Sequence, residues 1–249
     1  MIVTPFKTHK ITSGENIFEI LDRYLPEIRE NSVIAIASKI ISISQGNIIT
    51  EEVSKEDLIK EQADLFYIDP IFSNFPLVIP TITNNILVAN AGIDESNVEK
   101  GFLLWPKNIT EITNHIWMHL RKQHNLKNVG VLITDSRLTP LAYGITGVGI
   151  AWCGFEPLQD YRGTPDIFGK ELKMSYKSVL NGLAASAVVV TGEGNEQTPL
   201  AVISEVPFVT FQNRPPTKEE LDSIWIAKED DIYGKMLNSV KWEKGGGKS

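Results

Sequence analysis

An apolar run, Val131-Leu132-Ile133, ends on an acid and a hydroxyl, Asp135 and Ser136. Together they offer oxygen donors to a hard cation, and the carboxyl ends of strands are where α/β proteins place ligands. A turn acid serving its own backbone is the equal alternative for this stretch alone. Three further stretches have similar content. NAGIDESN (90–97) opens from an apolar run into Asp94, with Asn97 three residues on; an Asx-turn is the simpler reading. GEGNEQTP (192–199) combines two glycines, which permit close backbone approach to a phosphate, with Glu193 and Glu196; a solvated acidic hairpin is its bland counterpart. In DYRGTPDIFGK (160–170), Arg162 can hold a carboxylate through two hydrogen bonds, but pairing with Asp160 or Asp166 is favoured.

Other reactive types carry less. His115 and His119 have the helical spacing of two zinc ligands, but no glutamate follows His115 and no third ligand is evident. Cys153 beside Trp152 reads as core. The terminal GGGKS resembles a phosphate-binding loop only superficially. Trp242 stands where the first glycine belongs, and no helix can follow.

The elements that must position these residues alternate between strand and helix. Helices are expected over NIFEILDRYL with Ser13 as N-cap, over SKEDLIKEQADLF (54–66), over 110–125, over VLNGLAASAVVV, and from Thr217, which forms a T-x-x-E capping box with Glu220. Strands are expected over SVIAIASKIISI (32–43), within 76–94, over VGVLITD, over GITGVGIAWCGF (144–155), and over 199–211 with a bend at Pro207. The glycines of 144–155 imply a strand closely approached by another element, and the small residues of 179–190 suit tight helix packing. This is an α/β chain whose sheets are partly antiparallel. Residues 1–241 read as one unit without internal boundary, and 242–249 as a flexible tail.

A chain of 249 residues with 42% hydrophobic and 22% charged residues can bury an ample core. The net charge of −7 argues against a general nucleic-acid or anionic-membrane binder. A single cysteine and an amino terminus without an apolar stretch lead us to expect a cytoplasmic protein. No segment approaches the ~20 apolar residues of a spanning helix.

Taken in order, SKIIS (38–42) with Gly46, NAGID-x-SN, ITDS, DYRG-x-x-D-x-FG, and GEG with Pro199 resemble the CofE-like family of coenzyme F420-0:γ-glutamyl ligases, across most of residues 7–205. The resemblance implies a nucleotide-dependent amide ligase with an intertwined fold, working as a homodimer on L-glutamate and a small-molecule acceptor. It further implies two Mg²⁺ or Mn²⁺ sites, GTP or ATP as co-substrate, and K⁺ as a further candidate ion. By motif match, Asp94 and Asp135 would be catalytic and hold one cation, with Ser136 and Glu193 serving the other. Ser38, Lys39, Asn97 and the loop Thr191, Gly192, Glu193, Gly194, Asn195, Glu196, Gln197, Thr198 would contact nucleotide, and Arg162 substrate.

Three departures from the family pattern stand out. A phosphate-contacting lysine is replaced by Ile43, and the Gly-Leu-Pro pattern is missing at Lys7–Lys10. The arginine-rich turn after ITD-[TS] reads Arg137-Leu138-Thr139-Pro140-Leu141-Ala142-Tyr143. Arginines would suit the phosphodiester and carboxylates of the deazaflavin substrate, and Thr139, Ala142 and Tyr143 cannot replace that charge. The expectation is therefore a γ-glutamyl ligase with an altered acceptor, a folate-like pterin glutamate being one candidate. Alternatives are the coenzyme F420-0 ligase proper, a non-catalytic nucleotide-binding regulator and, last, a metal-dependent phosphohydrolase.

Overall fold

The computed structural model describes residues 1–68 and 78–247. The part of the 76–94 strand expectation that falls on Pro76 and Leu77 lies outside them. In chain order the first half contains β1 (Ile2–Phe6), α1 (Ile17–Tyr24), β2 (Ser32–Ala37), α2 (Ser38–Ser44), β3 (Ile48–Ile49), α3 (Lys55–Gln62), β4 (Leu65–Phe66), β5 (Pro80–Thr83), β6 (Ile86–Ala89) and β7 (Phe102–Leu103). The second half adds α4 (Ile109–Gln123), β8 (Val129–Leu138), β9 (Ile145–Cys153), β10 (Leu158–Asp160), β11 (Tyr176–Ser178), α5 (Val179–Thr191), β12 (Leu200–Ser204), α6 (Lys218–Ser223), α7 (Gly234–Leu237) and β13 (Glu243–Lys244).

The main sheet has the order β1-β12-β2-β8-β9, with β2 and β8 parallel and every other pair antiparallel. β2 and the first half of β8 are almost wholly apolar because both faces are covered there. Period-two alternation divides them. Ile34, Ile36, Val131 and Ile133 point into the core under α1 and α4, while Val33, Ala35 and Leu132 point into the core under α5. A second sheet, β13-β4-β5-β6, packs its own small core around Leu58, Ile59 and Phe66. Among the described residues no helix is long and apolar enough to cross a membrane.

Four local expectations are corrected. The run 32–43 is not one strand; it turns into α2 at Ser38. Its β-branched residues favour strand locally, but Ile40, Ile41 and Ile43 are buried as a helical surface, so tertiary packing overrides propensity. The N-cap of α1 is Asn16, whose side chain accepts from the Phe18 amide, and not Ser13. The strand expected over 199–211 stops at Ser204, where Glu205 adopts a left-handed φ of 53° and breaks the extended backbone.

Within the expected tail, 242–249, residues 243–247 are held in place, while Lys248 and Ser249 lie outside the described residues. β13 pairs with β4, and the amides of Gly245, Gly246 and Gly247 donate to the carbonyls of Asp64, Lys60 and Ala63. A Cβ on Gly245 would stand 2.0 Å from the Ala63 carbonyl oxygen, so the glycine run is there to let two backbones touch. By contrast, the capping box of Thr217 and Glu220 forms as expected.

Candidate active site

The parallel pair β2–β8 builds the site. Both strands run the same way, so their carboxyl ends deliver Ala37-Ser38-Lys39 and Thr134-Asp135-Ser136 to one edge of the sheet. Beyond Ile133 the β8–β9 register slips, with Ile133 opposite Ala151 but Thr134 opposite Gly149. Bulges of this kind bend a hairpin and re-aim its side chains next to functional clefts.

A cavity of about 470 Å³ opens there. Asp94, Asn97, Ser38, Lys39, Asp135, Ser136 and the whole loop Thr191–Thr198 line it, so residues from four separated stretches converge. The Thr8–Ile11 segment and Ile43 complete the wall. Arg162 does not line it. Its guanidinium instead grips Asp160, with Nη2 2.8 Å from Oδ2, and lies 4.5 Å from the centre of the Tyr176 ring in an exposed hairpin.

The carboxylates differ in their surroundings. Asp94 follows a 3₁₀ turn, Asn90–Gly92, and its backbone pairs with Leu103 in both directions. Its Oδ2 lies 2.5 Å from the Lys39 ammonium, which also donates to Ser96 Oγ at 2.8 Å, and its Oδ1 accepts from the Ser96 amide. Burial acts to raise the Asp94 pKa, but Lys39 and the Ser96 amide outweigh it and hold the group below the ordinary carboxylate range.

Asp135 goes the other way. Burial is the main cause, reinforced by the negative charge of Asp94, and it pushes the carboxyl up to about 6. Hydrogen bonds from the Ser136 amide and from the Trp105 indole N–H offset this only in part. Glu193 is also raised, by partial burial first. Two acids whose ionised forms burial disfavours therefore face one cavity.

Among the described residues no group of three or more His, Cys, Asp or Glu side chains forms a ready metal centre. The chemistry of the donors nevertheless fits a hard divalent cation: Asp94 and Asp135 offer carboxylate oxygens, Ser136 a hydroxyl, and Glu193, hydrogen-bonded to the Ser136 side chain, a third carboxylate. The other reactive types keep to structure. His119 pairs with Asp22 at 2.7 Å, while His115 is exposed. Burial pushes the Cys153 thiol up to about 12, which leaves it no thiolate.

Trp105 is the site residue that motif reading misses. It is separated from Asp135 by 30 positions and belongs to none of the acidic stretches. The available signal is general: a largely buried tryptophan seeks an acceptor for its N–H.

Comparison with known proteins identifies the family. Residues 5–205 match the family described as F420-0:Gamma-glutamyl ligase. The chain is 31% identical over 238 residues to the coenzyme F420:L-glutamate ligase of Methanocaldococcus jannaschii, covering 88% of this chain and 90% of that protein. It is 30% identical over 234 residues to the protein of the same name from Methanococcus maripaludis strain C7, covering 86% and 89%. With Haloarcula marismortui the figures are 29% over 219 residues, 80% and 84%. The match spans every stretch that lines the cavity, and this chain belongs to the F420-0:γ-glutamyl ligase family, which makes it a γ-glutamyl ligase.

Proposed function

We propose that this enzyme uses a nucleoside triphosphate, GTP or ATP, and divalent metal to join L-glutamate through an amide to a carboxylate of an acceptor other than coenzyme F420-0, a folate-like pterin glutamate being the leading class. The observation that carries the reading is the convergence of Ser38-Lys39, Asp94-Asn97, Asp135-Ser136 and Thr191–Thr198 on one cavity. In the reaction, the acceptor carboxylate attacks the γ-phosphorus, nucleoside diphosphate leaves, and the resulting acyl phosphate is opened at carbon by the amine of glutamate, releasing phosphate.

Every reactant is anionic, so the site must neutralise charge before they meet. Asp94, Asp135, Ser136 and Glu193 would hold Mg²⁺ or Mn²⁺, which when bound supply positive charge to the phosphoryl oxygens. Lys39 adds a fixed cation beside Asp94, and it is free to turn to phosphate once Asp94 is otherwise occupied. Asn97 and the 191–198 loop offer polar groups to the nucleotide. K⁺ remains a candidate activator on the resemblance alone.

The β8–β9 turn supports the reading of an altered acceptor. Where arginines would meet a phosphodiester, Leu138, Leu141 and Tyr143 stand exposed. Coenzyme F420-0 itself is the second reading, favoured by the name shared by the relatives. A homodimer goes with the proposal. The hairpin around 160–178 exposes Ile167, Phe168 and Met174, apolar surface that a second copy would cover and that carries Arg162. Sedimentation at micromolar concentration should give about twice the 27.8 kDa chain mass; a single-chain mass would remove the dimer. A cytoplasmic setting fits the one buried, unpaired cysteine.

The decisive assay follows phosphate release from GTP and ATP with Mg²⁺ or Mn²⁺, L-glutamate and a panel of acceptors, with mass detection of the glutamate adduct. An adduct on a folate confirms the proposal; an adduct on F420-0 alone replaces it with the second reading. Nucleotide bound without phosphate release under any acceptor overturns ligation. In the same format Asp94→Asn and Asp135→Asn are expected each to abolish metal-dependent nucleotide binding while leaving the fold intact, and unchanged nucleotide affinity in both would remove the metal seats.

A further inference from the structure

The geometry points to Trp105 as a positioning residue: its indole is a strut that ties the segment carrying Asp94 to the carboxylate of Asp135 and sets the relative orientation of the two acids. The inference rests on the reading of Asp94 and Asp135 as a shared cation seat, and it concerns a residue outside the motifs.

Three contacts make the strut. Leu103 and Asp94 exchange backbone hydrogen bonds of 2.8 and 3.0 Å, so Trp105, two residues past Leu103, lies alongside Gly92, two residues before Asp94. Gly92 has a φ of +71°, and a Cβ there would stand 2.2 Å from the Trp105 Nε1. The glycine of NAGID is therefore a notch for the indole as well as a turn residue. From that notch the N–H donates to Asp135 Oδ2, while Oδ1 accepts from the Ser136 amide at 2.8 Å. The other end of the residue is pinned too: Asn47 Nδ2 donates to the Trp105 carbonyl at 2.7 Å.

Both Asp135 oxygens are thus oriented before any cation arrives, one by its own chain and one from across the fold. The carboxylate retains lone pairs for a ligand because each oxygen accepts one hydrogen bond here. Partners that orient metal-binding carboxylates in this way typically account for about 10- to 100-fold in metal affinity.

The test uses the full-length enzyme with GDP and measures Mn²⁺ binding from the electron paramagnetic resonance signal of the free ion. Trp105→Phe keeps an aromatic ring and removes the donor. It is expected to weaken one of two Mn²⁺ classes by about 10-fold or more. Glu193→Gln, at a carboxylate within hydrogen-bond reach of the Ser136 side chain, should weaken the other. Gly92→Ala fills the notch, displaces the indole and should weaken the same class as Trp105→Phe.

Circular dichroism melts in EDTA confirm that each variant is folded at the assay temperature. A folded Trp105→Phe enzyme whose two Mn²⁺ affinities stay within twofold of the parent overturns the strut and leaves the cation seat standing. Equal weakening of both classes assigns Trp105 to general packing and also overturns it. A parent enzyme that binds no Mn²⁺ overturns the seat and the strut together.

Discussion

Asp135 illustrates the cost of the site at the scale of one residue. Its carboxyl titrates at about 6 in the folded protein against 3.8 for an ordinary aspartate. The folded state holds that proton more tightly than the unfolded chain, so stability contributed by protonated Asp135 is lost as pH rises through about 6. Metal-free enzyme in EDTA should therefore lose, relative to Asp135→Asn, about 1.4 kcal/mol between pH 5 and pH 8, nearly all of it below about pH 6.5. Urea denaturation at the two pH values reads the difference directly, and parallel pH profiles for the two proteins would show that the carboxylate is not destabilising. Lys39 relieves the same problem at Asp94, where an ammonium 2.5 Å away keeps the group ionised. Two acids with one cation between them leave the cavity short of positive charge.

At the scale of the element, the site depends on how tightly α5 lies against β9, because α5 runs directly into the 191–198 loop. Gly147 faces the helix backbone: a Cβ there would stand 2.4 Å from the Ala184 carbonyl oxygen. Gly147→Val should cost about 2–3 kcal/mol by forcing the helix away from the strand. Gly182, also on α5, has nothing within 4 Å of its would-be Cβ, so Gly182→Ala should be neutral to stabilising by up to about 1 kcal/mol. Chemical denaturation of the pair provides the check; equal effects would mean that the close approach is unimportant. The glycine-rich strand and the small-residue helix were both legible from composition, since glycine in a strand signals a close neighbour. The helical state of Ser38–Ser44 was not legible, because its isoleucines have strand propensity and only the surrounding core makes their helical face favourable.

For the whole molecule, the two ends of the chain complete different sheets. β1 joins the main sheet through β12, and β13 closes the small sheet through β4. The three glycines beyond β13 bond to carbonyls at the end of α3 and just after it, which leaves fewer of them without partners. Removing residues 242–249 should lower hydrogen-exchange protection across 58–66 while amides of β2 and β8 keep theirs. A uniform loss across both sheets would show instead that the terminal strand supports the entire fold.

Local chemistry was enough to reveal the alternating α/β pattern, the apolar strand that ends on Asp135, the capping box at Thr217 and the four polar stretches, because periodicity, caps and motif spacing are properties of neighbouring residues. The motif order of those stretches likewise carried the family resemblance. Only the tertiary structure decided that the stretches share one cavity, that Arg162 turns to Asp160 instead, that Glu243–Lys244 docks on β4, and that Trp105 reaches Asp135. Each of those facts joins residues far apart in the chain or selects among equally good local partners. They depend on the parallel pairing of β2 with β8 and on backbones close enough to require glycine, and neither leaves a periodic trace in sequence.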